Sequence, residues 1–181
     1  MIFYTADLHF GHRSVIKFDN RPFADVDEMD NALINLWNQR VSKEDHVYII
    51  GDFDFRNEKS EEWYLHQLKG HKHLVIGNHD GKLLKNAAAM RYFESVDKMM
   101  HVSDDGTQIC LCHFPLAEWN GFKRGHSHIH GHIHNRKDAT WEFMRTRHNA
   151  YNAGRIGDCK IRQIIIYYPG VRRTKTCFCV M

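Results

Sequence analysis

Apolar positions along the chain fall into short runs separated by stretches of helical spacing. Residues 2–6, 47–50 and 74–76 are β-rich runs. Each ends at a polar or glycine-bearing segment: Asp7, then Gly51-Asp52, then Gly77-Asn78-His79-Asp80. Met29, Leu33, Leu36 and Trp37 recur on one face of a 3.6-residue period, which predicts a buried-face helix over 26–40. Asp25 suits its N-cap, and Asp27 and Glu28 suit the positive end of its dipole. Ser60 is placed to cap a second helix over 61–69, which buries Leu65 and Leu68 and stops at Gly70. Residues 82–90 read as a third helix. Residues 96–103 and 107–112 read as a hairpin turning at Asp105-Gly106. Residues 114–127 read as a loop, and 161–168 as a late strand ended by Pro169-Gly170. Strands alternating with helices predict α/β or layered α+β architecture.

This pattern puts the polar motifs in one kind of place. Asp7, Asp52, Asn78 and His113 each follow an apolar β run. In open α/β sheets the carboxyl ends of the strands form the ligand-binding rim, so residues far apart in sequence are expected to meet there.

Composition narrows the class. At 181 residues, 43% hydrophobic and 26% charged, the chain is not disordered, collagenous or a small disulfide scaffold, and it fits a single domain spanning 1–181. A net charge of +3 is too mild to imply a nucleic-acid or membrane surface by itself. The basic cluster Arg172, Arg173 and Lys175 reads as a solvated tail. Five cysteines without a C-x-x-C pair suggest reduced thiols, and Cys110 and Cys112 read as core residues. The C-terminal Cys177 and Cys179 miss the prenylation spacing by one position. No signal sequence or spanning segment is visible, so the expectation is a cytoplasmic protein without a membrane partner. The unusual number is histidine, at 15.

The histidines belong to an ordered set of motifs: Asp7-Leu8-His9, Gly51-Asp52, Gly77-Asn78-His79-Asp80, His113 and Gly131-His132-Ile133-His134. Each is weak alone; together, in this order and β context, they are specific. With the stretches "ADLHFGHRSVIKF" (6–18), "NRPF" (20–23), "GDF" (51–53), "GNHD" (77–80), "CHFPL" (112–116) and "HGHIHN" (130–135), the chain resembles the calcineurin-like metallophosphoesterases. It looks most like their small bacterial and phage-type stand-alone members. The resemblance covers roughly residues 1–155, leaves 156–181 without a motif, and shows no long inserted cap.

The resemblance implies a four-layer sandwich, two packed mixed β-sheets flanked by helices, with two metals at the strand ends. It implies that Asp7, His9 and His134 bind one divalent ion, that Asn78, His113 and His132 bind the other, and that Asp52 bridges them. It makes His79 the catalytic histidine, with Asp80 expected to orient its ring. Imidazole and carboxylate donors without thiolate suit manganese, the first choice, or iron, zinc, nickel or cobalt. Two dications carry four positive charges; Asp7, Asp52 and a bridging hydroxide cancel three, leaving an electrophilic seat for phosphate. The neutral ligand Asn78 preserves that charge. Acidified water between the metals provides the nucleophile for in-line attack.

His12 and Arg13, in the loop opened by Asp7, are the expected substrate contacts. Other cations near the motifs, Arg21, Arg56, Lys123, Arg124 and Arg136, read individually as solvated or structural. His126, His128 and His130 continue the spacing of His132 and His134 but read as surface or supporting residues. The expected substrate is a small phosphate ester of nucleotide-like kind, and no large nucleic acid is expected. A nuclease acting on short RNA or DNA, and a non-catalytic interaction module, are the competing readings. The first is disfavoured by the mild charge and by few stacking aromatics near the motifs; the second by retention of the whole ligand set.

Overall fold

A computed structural model describes residues 1–154. The predicted strand 161–168, the basic cluster at 172–175 and Cys159, Cys177 and Cys179 lie outside them. The described chain forms two four-stranded sheets. In the first, β1 (Ile2–Thr5), β2 (His46–Ile50), β3 (His71–Val75) and β4 (Phe93–Asp97) lie side by side in chain order, all parallel. In the second, β5 (Met99–Asp104) pairs antiparallel with β6 (Thr107–Cys112), followed in parallel by β7 (Ser127–His130) and β8 (Ala150–Asn152).

Strand order fixes the layers. Parallel neighbours in chain order need right-handed crossovers, which bring the intervening helices to one face. Those helices are α1 (Arg13–Phe18), α2 (Val26–Arg40), α3 (Glu61–Gln67) and α4 (Ala87–Met90). Period-two alternation then sorts the strand residues. Phe3, Val47, Ile49 and Leu74 pack with Met29, Leu33, Ile34 and Trp37 of α2 and Tyr64 and Leu65 of α3. Tyr4, Ile50 and Val75 turn the other way and pack against Ile109, Leu111 and Ile129 of the second sheet. A short α5 (Ala139–Met144) follows β7, and no helix of the described residues is long and apolar enough to cross a membrane.

The helix ends follow local chemistry. Asp25 accepts the Glu28 N–H at 2.9 Å, as its N-cap position predicts. Ser60 accepts the Trp63 N–H, but α3 stops at Gln67, with Leu68 already extended. Gly70 belongs to the turn beyond. The predicted helix over 82–90 is two pieces, a 3₁₀ turn at Leu83–Lys85 and then α4, because the Asn86 side chain accepts the Ala88 and Ala89 N–H groups and starts a new helix.

The predicted hairpin also needs correction. Its first arm is two strands: β4 closes the first sheet, and one residue later β5 opens the second. Lys98 is the whole connection between the sheets. The turn at Asp105-Gly106 is as expected, both residues having positive φ.

Candidate metal centre

Five loops at the carboxyl ends of strands from both sheets bring the motif residues together. The loop after β1 carries Asp7 and His9, and those after β2 and β3 carry Asp52 and Asn78. The loop after β6 carries His113; that after β7 carries His132 and His134. Asp7, His9, Asp52, His132 and His134 all have φ between 47° and 69°. Non-glycine residues adopt this left-handed region rarely and at some cost, and such outliers concentrate at functional sites. Glycines let the loops touch. A Cβ on Gly51 would lie 2.7 Å from the Gly77 Cα and strike the His113 ring, and one on Gly77 would strike the Asp52 carboxylate.

The donors form two neighbouring groups around Asp52. Asp7, His9 and His134 offer ligand atoms close enough to share one ion, and so do Asp7, Asp52 and His113. Asp52 Oδ2 lies 3.6 Å from His9 Nε2 and 3.5 Å from His113 Nε2. Asn78 Oδ1 lies 2.9 Å from His113 Nε2 and 2.8 Å from His132 Nδ1.

This donor set fits cations. His113 Nδ1 donates to the Ile50 carbonyl at 2.9 Å, so its Nε2 presents a lone pair. That lone pair faces the Asn78 oxygen, another acceptor, and a cation between them resolves the conflict. His9 Nε2 and His134 Nε2 face each other at 3.3 Å, where one proton serves two nitrogens. Burial pushes the Asp7 carboxyl up from its ordinary range, although both its oxygens accept the His132 N–H. Burial, then the nearby His134, drives His9 strongly down and keeps it neutral. His132 is held down by burial and His113. The two imidazoles are thus held in the neutral state a metal ligand needs, while Asp7 would give up its proton on binding a cation.

Residues outside the expected set hold these donors in place. Asp19 Oδ2 lies 3.3 Å from His134 Nδ1, leaving Nε2 to face the centre. Burial alone would lower His134, but the Asp19 hydrogen bond and Asp7 raise it. Arg21 is buried rather than free for substrate. It donates to the Asp7 and Leu8 carbonyls at 2.7 and 2.8 Å and pairs with Asp19 at 3.1 Å. Asp19 was not singled out from the motifs; Arg21, read there as solvated or structural, is structural.

His79 lies beside Asp52. Its Nε2 is 4.0 Å from Asp52 Oδ2, its backbone N–H donates to Asp52 Oδ1 at 2.9 Å, and its ring packs on Phe55. Asp80 does not orient that ring. Its carboxylate is fully buried and accepts the backbone N–H groups of Gly77, Asp52 and Phe53 at 2.6, 3.1 and 2.9 Å, tying the loops after β2 and β3 together.

A cleft of about 520 Å³ opens over the centre, lined by His9, Asp52, Asn78, His79, His132 and His134, with Phe18 and Arg136 at its margin. Arg13 and His12 line a separate cavity of about 120 Å³ with Asp30 and Tyr64. The His12 ring reaches His9, at 5.2 Å between centroids, and burial followed by His79 lowers it to about 4. Among the described residues, Arg136 and not Arg13 therefore lines the main cleft. His128 and His130 are not surface residues. Both are buried, and His128 is held between the Cys110 carbonyl and the Leu116 N–H. Cys110 and Cys112 are buried as expected, and burial pushes the Cys110 thiol up to about 11.

Two four-stranded sheets flanked by helices, with the motifs at the strand ends, make the α/β sandwich that the resemblance implies. No protein-family model matches the chain. It is 31% identical over 161 residues to the gene 66 protein of Mycobacterium phage L5, covering 72% of this chain and 76% of that one; the phage D29 counterpart is also 31% identical. The chain belongs to the family of these gene 66 proteins. A solved protein of unknown function from Aquifex aeolicus is 26% identical, with a TM-score of 0.64 over 84% of this chain and 89% of that one. Nuclease MPE from Pseudomonas putida is 20% identical, with a TM-score of 0.47 over 74% of this chain and 60% of that one.

Proposed function

We propose that the chain hydrolyses phosphate esters with two divalent transition-metal ions. The observation that carries this reading is the gathering of seven neutral or anionic donors at one rim, Asp52 among them, with the His113 Nε2 lone pair facing the Asn78 oxygen. Asp7, His9 and His134 hold one ion; Asn78, His113 and His132 hold the other; Asp52 lies between. Ions so held supply electrophilic charge to a phosphate and acidify water near neutral pH.

The chain's own residues do the rest. His79, beside Asp52 and 34% exposed to the cleft, protonates the leaving oxygen or steadies the charge that develops on phosphorus. Arg136 meets the outer phosphate oxygens. Phe18, 61% exposed at the cleft margin, and Phe114, 45% exposed against the His132 ring, offer apolar faces suited to a nucleobase. The preferred substrate is accordingly a small nucleotide-like mono- or diester. These two rings also favour a second reading, cleavage of short single-stranded RNA or DNA, because stacking is indifferent to base identity.

The test starts from metal-stripped protein. Manganese, iron, zinc, nickel and cobalt are restored singly, and turnover is measured on chromogenic mono- and diesters. Nucleotides, cyclic nucleotides and short oligonucleotides follow. Turnover with at least one metal is expected, and no turnover with any of them overturns the reading. Preference for oligonucleotides over mononucleotides selects the second reading.

A further inference from the structure

At the opposite end of the first sheet lies a second cluster of imidazoles that the phosphate chemistry does not use. His46 opens β2, His71 opens β3, His73 lies two residues further along it, and Glu94 is the second residue of β4. His46 Nδ1 and His73 Nε2 are 2.9 Å apart. Glu94 Oε2 is 3.9 Å from the first and 3.8 Å from the second. A triangle with these sides has its equidistant point about 2.1 Å from each corner, the length of a Zn–N or Zn–O bond.

The surroundings prepare these atoms. Ser95 Oγ donates to Met100 Sδ, so it accepts from His73 Nδ1 at 2.7 Å. That fixes the proton on Nδ1 and leaves a lone pair on Nε2. Burial, then the neighbouring His46, lowers His73 and keeps it neutral. His71 bonds to Glu94 Oε1 through Nδ1, which aims Oε2 at the other two rings. This is how supporting groups orient metal-binding carboxylates. Without metal, a single proton between His46 and His73 joins the rings. The His46 side chain is 44% exposed, so an ion arriving from solvent can replace that proton.

We propose that His46, His73 and Glu94 bind one zinc-class divalent ion, with water completing its coordination. The site ties β2, β3 and β4 together at their amino ends, away from the cleft. It accounts for three histidines, His46, His71 and His73, that the candidate centre leaves without a role.

The experiment uses the full chain, stripped with chelator and dialysed against micromolar free Zn²⁺, with bound zinc counted by mass spectrometry. His46→Gln and Glu94→Gln, at partly exposed positions, are expected to carry one zinc per chain fewer than the parent. Circular dichroism checks that both fold. Equal zinc content in the parent and both folded variants overturns the proposal. In zinc-soaked crystals, an anomalous peak bounded by the three atoms supports it. A peak at the cleft with none here overturns it and leaves a hydrogen-bonded histidine cluster only.

Discussion

Asp80 Oδ2 accepts the backbone N–H of Asp52 at 3.1 Å, joining residues 28 positions apart. The same carboxylate accepts from Gly77 and Phe53. Burial raises the Asp80 carboxyl from its ordinary range, so holding the loops costs desolvation that only these three hydrogen bonds offset. Asp80→Asn keeps the size but turns an N–H group toward other N–H groups. It should lower unfolding free energy by about 2 kcal/mol in urea titration and weaken metal retention, because Asp52 loses its support.

His79 should separate chemistry from metal binding. Its ring nitrogen stands 4.0 Å from Asp52 Oδ2 and completes neither ligand group. His79→Asn is expected to reduce kcat roughly 100-fold or more, the usual scale for a lost general acid. Metal content should not change. Unchanged kcat, or loss of an ion, would refute the assignment.

Arg136 tests substrate contact. It lines the cleft, and its side chain is 55% exposed and only loosely paired with Asp138, at 3.5 Å. Arg136→Ala should raise KM about tenfold, as expected for a lost charge-assisted bond, with a smaller effect on kcat. Arg13→Ala should leave KM within twofold, since Arg13 lines the other cavity.

His128 makes a prediction about pH. Burial holds it down to about 4, against an ordinary value near 6.5. The unfolded chain therefore binds a proton between pH 6.5 and 4 that the folded chain refuses. Its contribution to stability is complete above pH 6.5 and is lost as pH falls toward 4, up to about 3 kcal/mol. His128→Gln should flatten that acid limb by about one proton in chemical denaturation series. An unchanged slope would show that His128 titrates normally.

The sequence carried β1, β2, β3 and β6 and the helix over 26–40 with its cap, because each rests on local spacing, and the ordered motifs marked which residues meet at the strand ends. The break at Lys98 was hidden, since the apolar pattern runs through β4 and β5 without a turn residue and only pairing partners tell them apart. The burial of His128 and His130 was hidden as well. Their alternation with Ile129 resembles a half-exposed strand, but the loop after β6 folds back and stacks Trp119 on His128. Asp80 and Arg21 act through backbone groups of distant loops, which spacing does not encode.

The single-residue passage at Lys98 also divides the proposed donors. Asp7, His9, Asp52 and Asn78 precede it, and His113, His132 and His134 follow it. Neither half of the chain holds a complete set for either ion. A refolding chain would thus gain tight metal affinity at the cleft only once the sheets have docked face to face. Metal uptake at the cleft, followed by stopped flow in the Glu94→Gln variant so that the first sheet's own histidine cluster is silent, would then time that last, least local step.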